Sequence, residues 1–142
     1  MFQDILVPID VEQESSWRSV LPLAAKLTIE NKATLHVVAV IPPFGSTFVG
    51  GFFAKDFEEE VVSKVKARLV EIVSDAALSG VTPKLHVTRG TIYEEILKTA
   101  DQLDADLIVL AAQRPELRDF LLGPNAARVV RHATQSVFIV RS

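Results

Sequence analysis

The chain has 142 residues, 15 basic and 18 acidic side chains, a net charge of −3 and no cysteine. This composition excludes a disulfide framework and thiolate metal sites, and it supplies no basic stripe of the kind that grips a nucleic-acid backbone. A single domain of this size buries roughly 70% of the surface that its unfolded chain exposes, so it can fold without a staple. Hydrophobic residues make up 49% of the sequence, but they fall in short runs, far below the ~20 residues of a membrane span. The amino terminus, MFQDILVPID, lacks the basic region of a signal peptide. A cytoplasmic protein with no membrane and no nucleic-acid partner is expected.

In chain order, Ile5–Ile9 is a short, nearly continuous apolar run, as a strand covered on both faces requires. Ser16 to Asn31 carries Val20, Leu23, Ala24 and Leu27 at helical spacing, with Pro22 inside, which predicts a kink or a helix starting near Leu21. Leu35–Ile41 is a second β-branched run. Pro42 to Ala54, with two prolines, three glycines and four phenylalanines, reads as a long loop over one end of the sheet. Phe57 to Ala76 repeats apolar residues every three or four positions, a helix whose first turn holds Glu58, Glu59 and Glu60.

Pro83–Thr88 alternates and predicts a strand with one wetter face. Ile92, Ile96, Ala100 and Leu103 mark the next helix, with Thr91 and Glu94 spaced as a capping box. Leu107–Ala112 is a third continuous strand run, Gly123-Pro124 opens a helix through His132, and Val137–Val140 closes the chain as a strand. Strands alternating with helices predict an α/β domain: a three-layer sandwich with a five-stranded parallel sheet and helices on both faces, doubly wound, as one unit over residues 1–142.

In such a sheet, ligands bind at the carboxyl ends of the strands. Three stretches should meet there: Pro8–Asp10, Val40–Pro42 and Ala111–Asn125. Asp10 could accept from a base amine or a ribose hydroxyl, or form an Asx-turn at the strand end. Gly123 and Asn125 open a helix, whose amino terminus favours anions; Arg114 could add a charged donor or stand in solvent. Arg128 lies one turn inside that helix. The phosphate loop, the Gly-x-Gly-x-x-Gly turn, the nucleophile elbow and the HExxH metal motif are all missing from the sequence. His36 and His86 fall in strands and His132 ends a helix, so all three read as structural.

The segments DILVPID, ADLIVLAAQRP, LLGPNAARVVRHA and SVFIVR resemble the universal stress protein family, most closely its small nucleotide-binding F/G-type branch. The resemblance implies an adenine nucleotide α-hydrolase-like fold and a homodimer paired through the last strand, Ser136–Arg141. Physical chemistry agrees that VFIV would be an adhesive edge in a monomer. It also implies a regulatory adenine nucleotide, ATP or AMP with or without magnesium, and at most slow hydrolysis, with no catalytic residue assigned. By likeness, Pro8, Ile9, Asp10 and Val40 would meet the adenosine. Gln113, Arg114, Gly123, Asn125 and Ala126 would lie near ribose and phosphates, with Ala111, Ala112 and Pro124 in the same set.

Many members carry Gly-x-x-Gly, nine residues, then Gly-[Ser/Thr]. Here Ala111 and Arg114 replace the two glycines, the spacer Pro115–Leu122 is one residue shorter, and Pro124 replaces the hydroxyl residue. The F/G branch shares the alanine, the non-glycine and the following proline. Pro124 removes a hydroxyl and a backbone N–H at the expected phosphate seat. That favours a second reading, a dimeric interaction module or chaperone that works without nucleotide, with the Phe-rich loop Phe44–Phe53 as its contact surface. A nucleotidyl transferase would carry a histidine-rich phosphate motif, which the sequence lacks.

Overall fold

The computed structural model describes residues 1–43, 54–112 and 123–141, with side chains of 54–56 excepted. Five strands form one sheet: β1 (Asp4–Ile9), β2 (Thr34–Ile41), β3 (Lys84–Arg89), β4 (Leu107–Ala111) and β5 (Ser136–Val140). Their order is β3-β2-β1-β4-β5 and every pairing is parallel. The helices are α1 (Val20–Asn31), α2 (Ala54–Ala76), α3 (Ile92–Gln102) and α4 (Pro124–His132), with a 3-10 turn at Glu14–Ser16. The expected α/β architecture is therefore present.

The side chains divide the molecule into layers. On one face Ile5, Val7, Leu35, Val37 and Val109 pack with Val20, Leu21 and Ala24 of α1 and with Leu69 and Ile72 of α2. On the other face Leu6, Val38 and Ile108 pack with Ile96 and Ala100 of α3 and with Ala126 and Val129 of α4. Alternation along each strand produces this split. It also explains the continuous apolar texture of β1, β2 and β4: Ile5, Leu6 and Val7 are all 0% exposed because both faces are covered.

The two-sided arrangement follows from the strand order. The chain runs outward from β1 to β2 to β3, then returns past β1 to β4 and β5. Crossovers of one hand that move in opposite directions lay their helices on opposite faces. The direction reverses between β1 and β4, so the switch point lies there.

Helix boundaries follow local chemistry. The chain enters α1 through the 3-10 turn, and Pro22 sits in the first helical turn, where its missing N–H costs no intrahelical bond. The helix starts at Val20, one residue before the expected Leu21, and the 3-10 turn and its exit occupy the rest of the expected span. In α4, Gly123 is the N-cap and Pro124 the first helical residue, as read from the sequence. The capping box predicted for α3 does not form. Thr91 is the N-cap, but its side chain makes no capping bond, and Glu94 accepts from the Tyr93 hydroxyl instead.

Candidate functional site

At the carboxyl ends of β1, β2 and β4 lies a cavity of about 500 Å³. This is within the range of small-molecule sites, ~300–1,000 Å³. Its position is the one that the strand order dictates, outside the switch point. Pro8, Ile9 and Asp10 enter it from β1, Val40 from β2, Ala111 from β4, and Asn125 with Ala126 from the start of α4. Seven of the residues singled out in the sequence therefore meet in one place. Ala112, Gly123 and Pro124 flank the cavity without lining it among the described residues. Ala112 continues β4 by donating its N–H to the Val140 carbonyl at 2.9 Å. Gln113 and Arg114, together with residues 44–53 of the loop noted in the sequence, lie outside the described residues.

The β1–α1 connection that presents Asp10 is held by Ser16. The Ser16 hydroxyl accepts the Asp10 N–H at 2.9 Å, and its own proton is shared between the carbonyls of Gln13 at 2.7 Å and Asp10 at 3.0 Å. Ser16 is only 2% exposed. The Gln13 N–H closes a turn onto the Asp10 carbonyl at 3.0 Å. One carboxylate oxygen of Asp10 accepts from the Glu12 N–H at 2.9 Å, so the Asx-turn anticipated for Asp10 is made. One oxygen of Asp10 fixes the turn, and the residue also borders the cavity.

The α4 end contributes backbone. Asn125 and Ala126 occupy the second and third positions of the helix, whose amides have no intrahelical acceptor by position. The first position has no N–H at all, because it is Pro124. Arg128 turns away from this end: its guanidinium carbon stands 5.2 Å from the centre of the Tyr93 ring, which in turn stacks on His132. Arg128 thus braces α4 against α3.

Several lining residues were invisible to sequence reasoning. Val61 and Val65 of α2 and Ile92 and Ile96 of α3 form apolar walls. Their helical periodicity marks a buried face, and a face that borders a cavity has the same pattern as one that meets the core. Glu12 adds a second carboxylate beside Asp10. The α2 helix begins at Ala54, a turn earlier than its apolar spacing suggested, so Glu58, Glu59 and Glu60 lie beyond its first turn, where Glu58 forms an ion pair with Arg89 at the end of β3. The described lining is thus mainly apolar, with Asp10, Glu12, Ser16 and Asn125 as its polar points. Among the described residues no cluster of His, Asp and Glu is arranged to hold a metal.

The model of the universal stress protein family matches residues 1–141. Universal stress protein G of Escherichia coli O157:H7 is 32% identical over 144 residues, covering 99% of this chain and all of that one. Among solved structures, the universal stress protein UspA of Lactobacillus plantarum superposes with a TM-score of 0.75 at 21% identity, over 98% of this chain and 97% of the other. A universal stress protein crystallised in complex with cAMP superposes with a TM-score of 0.70 at 22% identity, over 98% and 96%. The full-length match of sequence and the strand order with its switch-point cavity point the same way: the chain belongs to the universal stress protein family.

Proposed function

We propose that the protein binds an adenine nucleotide, ATP or AMP, as a regulatory ligand in the cavity between β1, β2, β4 and the start of α4. The observation that carries this reading is the convergence of Pro8, Ile9, Asp10, Val40, Ala111, Asn125 and Ala126 on one cavity of nucleotide size. Apolar walls suit a base, Asp10 suits a ribose hydroxyl or a base amine, and the first-turn amides of α4 suit a phosphate. A universal stress protein of similar fold was crystallised in complex with cAMP, which supports a nucleotide as the class of ligand. Gln113 and Arg114 complete the phosphate side in this reading, and magnesium accompanies ATP where a triphosphate binds. No catalytic group is assigned. Isothermal titration with ATP and AMP tests the reading: saturable heat supports it, and no heat at millimolar nucleotide overturns it.

A homodimer through β5 belongs to the same proposal, and so does a cytoplasmic location. No helix among the described residues is long and apolar enough to cross a membrane. The sheet has two edges, and they differ in chemistry. β3 begins and ends on Lys84 and Arg89, charges that guard an edge against pairing. β5 is SVFIV, with no charge inside the strand, and Phe138 is 42% exposed opposite fully buried Val109. The second edge is therefore the adhesive one.

One observation favours a nucleotide-independent interaction module instead. Pro124 at the first position of α4 removes an amide from the phosphate seat, and the described lining carries two carboxylates and no base. In that reading the dimer persists and titration with nucleotide gives no heat.

A further inference from the structure

Away from the cavity, at the opposite end of the sheet, three titratable side chains form a chain across three strands. His36 on β2 is 4% exposed. Its Nε2 lies 3.0 Å from Oδ1 of Asp4 on β1, and its Nδ1 lies 3.1 Å from Nε2 of His86 on β3. The two rings are 5.3 Å apart between centres and tilted by 34°. A carboxylate can only accept, so the His36 proton sits on Nε2 and points at Asp4. Nδ1 of neutral His36 is then an acceptor, and the His86 Nε2–H donates to it. Each donor in the row has one acceptor, and the direction of the row is fixed by Asp4.

We propose that this Asp4–His36–His86 row is an acid-sensitive tie between the edge strand β3 and the centre of the sheet. The row has room for one added proton and not two. The added proton goes to His86 Nδ1, which leaves the one Nε2–H between the imidazoles, with Asp4 balancing the charge. Two protons would set N–H against N–H across 3.1 Å, with one ring almost fully buried. The unfolded chain has no such restriction, and each of its histidines takes a proton near the ordinary value of about 6.5. Below that pH the unfolded state therefore binds one more proton than the folded state, and folding weakens as pH falls.

The surrounding charges act in the same direction. Burial, then His36, then Lys84, lower the pKa of His86 from its ordinary 6.5. A lowered histidine pKa means that stability is complete above about 6.5 and is lost as pH drops toward the folded value. From β1 the row faces Asp4, whose N–H is held by the Asp106 carboxylate at 3.2 Å. From β3 it faces Lys84, which pairs in register with His36. The α3 helix packs over this face, but its charges are engaged or turned elsewhere. Glu94 accepts from Tyr93, Glu95 folds against Gly90, Asp101 accepts from Gln135, and Lys98 is exposed.

The test is urea unfolding of the full chain at pH 7.5 and 5.5, for wild type and for His86→Gln. A glutamine side chain cannot titrate, and its amide can donate to neutral His36 Nδ1 or turn its oxygen to accept from the protonated ring, so His36 is free to take its own proton in the variant. Between these pH values the folding constant of wild type should fall roughly tenfold more than that of H86Q, the effect of one excluded proton. Equal losses in both proteins would overturn the proposal. If H86Q does not fold, the histidine proton resonances of wild type decide. Uptake of one proton by His36 and His86 together between pH 8 and 5.5 supports the tie, and uptake of two overturns it.

Discussion

Ser16 shows how much of the site rests on a residue with no place in any motif. Its hydroxyl is buried and bonded to the backbone of the loop that presents Asp10. Replacing it by alanine strands the Asp10 N–H and removes a donor from two carbonyls, a loss of about 1–3 kcal/mol. Ser16→Ala should therefore lower urea-unfolding stability by that amount, and a change below about 0.5 kcal/mol, the scale of an ordinary surface substitution, would show that the loop is held by other means. Sequence reading placed Ser16 at the start of a helical span running to Asn31, with a start near Leu21 as the alternative. The helix begins four residues later, and the hydroxyl turns back to the strand end instead. Asp10 was legible as a strand-end residue because its Asx-turn is a local event, set by residues two apart.

At the level of elements, β1, β2 and β4 were readable because burial on both faces leaves a short β-branched apolar run, too short for a buried helix. β3 was readable by its alternation, and as an edge strand it is only partly buried. What sequence could not supply was partnership. The row from Asp4 to His86 depends on the register of three strands far apart in the chain. The cavity walls from α2 and α3 depend likewise on which helix lies over which strand. Two elements carry direct tests. At the start of α4, Pro124→Ser restores a hydroxyl and an amide at the phosphate seat. If a phosphate binds there, affinity for ATP should rise by about ten- to a hundredfold, corresponding to a charge-assisted bond of ~1.5–3 kcal/mol. An unchanged dissociation constant would place the phosphates elsewhere. On β5, Phe138→Lys puts a charge on the exposed face of the unguarded edge. It should convert a dimer to a monomer in analytical ultracentrifugation while leaving the helical circular dichroism intact, and a dimer that persists would reject β5 as the contact.

The whole molecule assigns its two sheet ends to different work. The carboxyl ends of β1, β2 and β4 open on a cavity, because the winding reverses between β1 and β4. The other end is closed by polar contacts, with Asp106 holding the backbone of Gln3 and Asp4 and Asp4 holding His36. A ligand at the first end and a proton at the second can therefore act on the same sheet without sharing a residue. The reading of the open end as a nucleotide site is best tested by titrating AMP into wild type and into Asn125→Asp in the same buffer. An acid in the first turn of a helix favours the helix itself, so the variant should remain folded while its charge opposes a phosphate. The account predicts saturable heat for wild type and affinity weakened about tenfold or more in the variant, the equivalent of ~1.4 kcal/mol. No heat with wild type at millimolar AMP, or equal affinity in both proteins, would contradict it.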